Sequence, residues 1–312
     1  MSKPIRRHYL PQAYLSGFCA DGRFLWLYDR ARDDYRRQTP INTAVIGHYY
    51  SVTDEKGQQR TDLETELMQF VDSNGVSAIA AAQSQSALSS EARAKLAVFC
   101  AFLKFRIPDF EKSFNHLNEE LLKWISRMTF CTPEHTAALI SSYKADTKDD
   151  AEFDVQALTE FVLKGNYRIE TSRAWSLENM IRLSQGTAPL MEAMDWCFYR
   201  PAPGKTFVTC DNPFVLVPPA NWKPGAFCGF GLCTKGTKKI VPLAHDLCLI
   251  MYDAGGATFW RTATREETRC INLTVTDNCH AYVIARDEAL IRSLVKTTNI
   301  SRREWKPSIS MR

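Results

Sequence analysis

The sequence predicts an α+β fold: a helical middle block packed with a mainly antiparallel sheet formed by N-terminal and C-terminal strands. Three observations carry this. Apolar residues recur at helical spacing through most of 57–194. From "DWCFYRPAPGKTFVTCDNPFVLVPP" onward, β-branched and aromatic residues alternate with turn formers instead. Near the start, "RFLWLYDR" reads as an aromatic-rich strand with one returning partner, and an isolated two-stranded hairpin is marginal in water. Those early strands are therefore expected to join the C-terminal sheet. The chain then reads as a single discontinuous domain over 1–312, with an N-terminal helix and strands at 1–56, the helical block at 57–194, and sheet and helices at 195–312.

The elements follow in order. Pro11 suits the first turn of a short helix, because its missing N–H is not needed there. Tyr14, Leu15 and Phe18 then share one face. "ADG" makes a turn before the strand "RFLWLYDR", and "DDYRRQTP" returns beside it. "GHYYSV" is a further extended piece, followed by a polar turn at "DEKGQQ". Thr61 or Asp62 caps a helix through "LETELMQFVDSNGVSAIAAAQ", with Gly75 as its weak point. A second helix opens at Ser90 and Glu91. It stops near Arg106, since Pro108 disfavours helical backbone in the residue before it. Helices at 109–128, 133–144, 153–164 and 175–194 complete the block, and "DTKDDAEFD" is a solvated loop open to proteolysis. Strands are expected at "CFYRP", "TFVTC", "KKIVPLA" and "LCLIMYD". A helix, the strand "AYVIA" and a last helix from Asp287 finish the chain.

Composition narrows the class. Hydrophobic residues make up 45% and charged residues 24% of the 312, as in ordinary soluble domains. No apolar run of about 18 residues reads as a membrane span. The charged N-terminus is followed by no apolar stretch of the secretory kind, so a cytoplasmic location is expected. Ten cysteines occur without a CxxC pair, which argues for reduced, structural thiols rather than disulfides or zinc. A formal net charge of +4 is too mild to imply nucleic acid by itself. The basic runs "KPIRRH", "RARDDYRR" and "SRREWKPSISMR" would form a patch only if the ends meet.

No GxSxG, P-loop, HExxH or dinucleotide-binding glycine pattern is present. "GFGLCTKGT" lies between strands and reads as a turn. Four clusters hold chemistry-bearing residues. His8 in "RRHYLP" is placed either as an acid–base group or as an imidazole bound to nearby backbone. "TCDNPF" delivers Asp211 and Asn212 at a strand end, where reactive groups and ordinary turn formers both occur. Asp29, at the end of "LWLYD", with Glu64 and Glu66 at the start of the next helix, could share a divalent cation such as Mg or Mn with Asp211. The competing role of such acids is to complement a helix dipole. Arg106, closing an apolar helix, needs a carboxylate partner such as Asp29 or Asp211, or a phosphate or carboxylate ligand.

Taken in order, these clusters resemble the bacterial family known as domain of unknown function 4238. The opening H-x-x-P-x-x-Y-L is His8, Pro11, Tyr14 and Leu15, and the W-x-Y-D strand is Trp26, Tyr28 and Asp29. The arginine-x-proline is Arg106 and Pro108. Thr209, Cys210, Asp211, Asn212 and Pro213 match T-S-D-N-P, with cysteine in the place of serine. Pro242, Leu243 and Asn272 complete the pattern. The resemblance implies a cytoplasmic prokaryotic or phage-related protein with a shared set of polar residues.

Two functions follow from these residues. In the first, the chain is a metal-assisted hydrolase acting on phosphodiesters, on nucleic acid or on a phosphorylated small molecule. His8 is the acid or base, and Asp29, Glu64 and Asp211 hold the cation. Asn212 orients the substrate, and Arg106 neutralises developing charge. In the second, the same residues form a structural network in a non-catalytic binding protein. No membrane partner is expected.

Overall fold

The computed structural model describes residues 6–47, 49–50, 52–53, 59–60, 62–84, 87–148, 151–223, 229–302, 304 and 306–307. The N-terminal segment contains β1 (Arg6–His8), the short helix α1 (Gln12–Ser16), and the hairpin of β2 (Leu25–Asp29) and β3 (Asp34–Gln38). β4 (Val45–Gly47) pairs antiparallel with β1, so His8 lies in a strand that precedes α1. β5 (Val52–Thr53) and β6 (Gln59–Arg60) form a second small pair. The predicted turn at "DEKGQQ" falls almost wholly outside the described residues.

Six helices follow: α2 (Asp62–Gln83), α3 (Ser90–Phe105), α4 (Pro108–Thr129), α5 (Pro133–Thr147), α6 (Val155–Lys164) and α7 (Arg173–Glu192). Side-chain caps fix several starts: Ser89 accepts from Ala92 N–H at 3.1 Å, and Asp154 accepts from Ala157 N–H at 2.9 Å. Gly75 is a packing device rather than a weak point. A Cβ there would stand 2.1 Å from Phe99 Cδ2, so its absence lets α2 close on α3. α5 runs three residues beyond the expected 144, until Lys148 turns left-handed at φ 56°.

The C-terminal strands split between two sheets. β7 (Met194–Arg200), β9 (Val215–Val217), β10 (Lys238–Ala244), β11 (Leu247–Ala254) and β12 (Thr258–Thr262) form one, in the order β12-β7-β11-β10-β9. Its β12–β7 pair is parallel and the rest are antiparallel. The strand predicted at "TFVTC" shrinks to β8 (Thr209–Cys210). It leaves that sheet and joins β13 (Tyr282–Ala285), which follows α8 (Arg265–Asp277) and precedes α9 (Glu288–Thr298). The second sheet has the order β3-β2-β13-β8, and Tyr282 pairs with Asp29. The N-terminal hairpin thus finds its partner near the other end of the chain, as its marginal stability requires. The core beside these strands includes Tyr28, Phe207, Val208, Cys248, Val275 and Ile291, all buried. Burial of this kind supplies about 25 cal/mol per Å² of apolar surface.

Two compact units are present. One comprises Met1–Glu111 and Arg173–Lys306, and the other Lys112–Ser172 and Pro307–Arg312. Both sheets belong to the first. In the second, Thr159 Oγ1 donates to Thr136 Oγ1 at 2.7 Å and ties α6 to α5. Among the described residues no helix is long and apolar enough to cross a membrane. The nine described cysteines are all unbridged, and Cys131, Cys233 and Cys270 are the exposed ones.

Candidate acid–base site

Three chain segments bring their polar ends together in the first unit. The first is the corner between α3 and α4. α3 closes at Arg106, and Pro108 opens α4 two residues on. Asp109 then falls in the first turn, where a helix dipole favours a carboxylate. The second is the end of β8, which delivers Asp211 and Asn212. The third is the link from α8 to β13, residues 278–281, which carries His280.

His280 Nε2 lies 2.8 Å from Asp109 Oδ1. The Asp109 side chain is only 3% exposed, whereas that of His280 is 24% exposed. The imidazole therefore bridges a buried carboxylate and solvent. Asn212 Nδ2 donates to Asp109 Oδ2 over a long 3.4 Å. Its Oδ1 is buried and has no hydrogen-bond partner among the described residues. Asn278 Nδ2 donates to the Asn212 carbonyl at 2.8 Å, and so does the Cys210 thiol at 3.0 Å.

Asp211 underlies the histidine. Its Oδ1 accepts the backbone N–H of His280 at 2.9 Å and of Tyr282 at 3.1 Å, and its Oδ2 accepts that of Ala281 at 2.9 Å. Burial raises the Asp211 carboxyl above the ordinary range, against the three amides and His280, which pull it down. Arg30 Nη1 reaches the carbonyls of His280 at 3.3 Å and Cys279 at 3.5 Å from the other side. The 279–282 backbone is thus held by a carboxylate on its N–H groups and a guanidinium on its C=O groups.

The surroundings tune charge. Burial pushes the Lys104 ammonium down, and the Asp109 charge opposes that shift. Burial, and then the charge of Asp211, pushes the Tyr9 phenol well up, so Tyr9 stays protonated. Burial and the Asp211 charge likewise push the thiols of Cys210 and Cys279 well above the usual thiol range, which leaves them poor nucleophiles.

Of the residues expected from sequence, Asp211 and Asn212 are in this site. His8 is tied elsewhere: its Nε2 bonds the Ile41 carbonyl at 3.1 Å, and the following residue, Tyr9, is the one that senses Asp211. Arg106 braces neither Asp29 nor Asp211. Its Nη1 donates to Asp72 Oδ1 at 2.6 Å, while its buried Nε and Nη2 have no hydrogen-bond partner among the described residues. Asp72 wins because it lies on α2, which packs against the helix that Arg106 closes.

The shared cation set takes a different form. Asp29 and Asp211 flank Tyr282 from opposite neighbouring strands, so their backbones stand roughly 10 Å apart at the usual strand spacing. Asp29 Oδ1 accepts the N–H of Ala31 at 3.1 Å, and its Oδ2 pairs with Arg36 at 2.9 Å. It closes the β2–β3 turn. The Glu64 side chain lies outside the described residues. Among the described residues no group of three or more His, Cys, Asp or Glu is gathered as a cation site.

The residues of the opening and closing motifs converge on the segment 206–210 that contains β8. Tyr14 donates its hydroxyl to the Pro242 carbonyl at 2.8 Å and lies 2.7 Å from Thr209 Oγ1. Asn272 accepts from Val208 N–H at 3.0 Å and donates to the Thr206 carbonyl at 2.8 Å. A family model described as "Protein of unknown function (DUF4238)" matches residues 6–289. The chain belongs to the DUF4238 family. No curated protein and no solved structure matches it. In this DUF4238 chain, Tyr14, Pro242 and Asn272 hold the segment 206–210 that leads into Asp211. Asp109 and His280 went unrecognised in the sequence. The one available signal for Asp109 was its place directly after a helix-opening proline. His280 had only its place before the strand "AYVIA".

Proposed function

We propose that this DUF4238 chain is a hydrolase whose acid–base group is His280, oriented by Asp109, and whose substrate is a phosphodiester or a phosphorylated small molecule. The observation that carries this is the 2.8 Å contact between a buried carboxylate and a partly exposed imidazole. With Nε2–H donated to Asp109, Nδ1 keeps its lone pair and takes a proton from an attacking water. The water oxygen bonds to the substrate centre, and the same imidazole returns the proton to the departing oxygen. Lys104, whose ammonium is favoured by the Asp109 charge against burial, and the unpartnered Asn212 Oδ1, which offers an acceptor to a substrate hydroxyl, complete the polar groups around the pair. This moves the acid–base role from His8 to His280 and makes Asp211 a positioning residue.

A second reading, a binding protein with a structural polar network, is favoured by a different observation. Asp29, Arg106 and Asp211 all have partners within their own chain.

Turnover of bis(4-nitrophenyl) phosphate and 4-nitrophenyl phosphate by the full chain separates the two, with thermal melting as the folding control. The hydrolase reading expects turnover that drops about 10²–10⁴-fold in His280→Ala, with melting nearly unchanged. No turnover by the native chain, or equal turnover by His280→Ala, would sink it in favour of the network.

A further inference from the structure

In the second unit, α4 is turned opposite to a normal surface helix. Its polar side faces its own neighbours: Lys123 Nζ lies 5.4 Å from the Tyr167 ring, and Glu119 is held down by Lys123 and the Ile169 backbone. A Cβ at Gly165 would stand 2.4 Å from Arg127 Nη2. The apolar side faces out. Leu121 is 39% exposed, Trp124 52%, Ile125 43% and Met128 59%.

The spacing of that face is specific. Phe114, Leu117, Leu121, Trp124 and Met128 follow each other at intervals of three, four, three and four residues. This is the a/d repeat of a helix made to pack against another helix along its length. The flanking charges read the same way. Glu120 and Arg127 sit one residue before Leu121 and Met128, both at g positions. In an antiparallel pair, g positions face g positions, so Glu120 of each copy, 3.6 Å from its own His116, comes beside the exposed Arg127 of the other, whose guanidinium swings off its own Gly165 to reach it.

We infer that α4 is a homodimer seam, in which two copies of this chain pack their α4 helices antiparallel about a two-fold axis. The layers are Leu117 on Met128, Leu121 on Trp124, and their symmetry mates. The Leu121–Trp124 layer sets a wide side chain against a narrower one, and the Leu117–Met128 layer pairs side chains of similar volume. The exposed seam offers on the order of 500 Å² per copy, so pairing buries about 1,000 Å², the lower limit for a specific interface. The dimer is accordingly weak and concentration-dependent. The seam does not rest on the acid–base reading, although Asp109 lies in the first turn of the same helix.

Sedimentation equilibrium of the full chain from 1 to 200 µM (roughly the range over which an interface of this size assembles) tests it. The native chain is expected to pass from monomer to dimer. Leu121→Glu is expected to remain monomeric with unchanged circular dichroism, since the side chain is exposed. Glu120→Arg is expected to weaken the dimer at least several-fold, and Glu120→Arg with Arg127→Glu to restore it. A monomer at every concentration, or a dimer indifferent to Leu121→Glu, overturns the seam. Equal weakening by the single and double charge variants overturns the antiparallel register.

Discussion

Asp211 Oδ1 accepts the backbone N–H of His280 at 2.9 Å, so the residue after a two-residue strand fixes the residue that faces Asp109. One carboxylate holds the main chain of His280 while another holds its ring. Under the proposed function the two carboxylates therefore have different expected phenotypes, one in stability and one in activity.

Asp211→Ala removes the acceptor of three amides at once. The expected cost is about 2–4 kcal/mol, because donors at a part-buried turn lose a charged partner. Urea unfolding should show it as a lower midpoint at constant slope. A midpoint equal to that of the native chain would mean that water replaces the carboxylate without loss.

Because burial raises the Asp211 carboxyl in the fold, the folded chain holds its proton more tightly than the unfolded chain does. Its stabilising contribution is then greatest below the unfolded value of about 3.9 and is lost as pH rises through the folded value. The stability of the native chain relative to Asp211→Asn, followed by chemical unfolding from pH 3.5 upward, is expected to fall across that window. A relative gain in the native chain as pH rises would show that the three amides outweigh burial.

Asp109→Asn and His280→Gln should not act independently. If the pair works as one unit, either change removes most of the activity, and the double variant loses little more. Strict multiplication of the two losses in kcat/KM would separate their roles.

Gly75→Ala places a methyl group against the Phe99 ring. Helix propensity alone favours alanine, but overpacking costs about 1–3 kcal/mol and is expected to win. Thermal melting of the variant reads the sign directly.

Tyr14→Phe removes a hydroxyl buried between Thr209 and the Pro242 carbonyl. The expected loss is about 1–3 kcal/mol, since the carbonyl is left without that donor. Hydrogen exchange at Cys210 and Asp211 should rise if this bond holds the strand, and should stay unchanged if it does not.

The fold was largely readable from periodicity and punctuation. Pro108 divides α3 from α4, Asp287 caps α9 by accepting from Ala289 N–H at 3.0 Å, and the hairpin's need for a partner pointed to the C-terminal strands, of which β13 is the one that pairs with it. The split into two sheets was not readable, because "TFVTC" has the composition of a longer strand and only its last two residues pair with β13. The site was half legible. Asp211 and Asn212 stand at a strand end before proline, which is a local signal. The contact between Asp109 and His280 is long-range, and neither residue has a chemical neighbour in sequence. Arg106 was legible as a buried cation, but its partner was not, since choosing Asp72 over Asp29 depends on how α2 lies beside α3.

The sheet order β3-β2-β13-β8 also sets a timetable. During synthesis, β2 leaves the ribosome about 250 residues before β13, an interval on the order of ten to fifty seconds at usual elongation rates. Through that interval the hairpin exposes an unpaired edge carrying Leu25, Trp26, Leu27 and Tyr28, the kind of template that neighbouring nascent chains can pair with. The arrival of β13 closes that edge, and the link that leads into it brings His280 to Asp109. A chain halted before β13 is therefore both sticky and without its dyad, and completion of the site coincides with removal of the aggregation hazard.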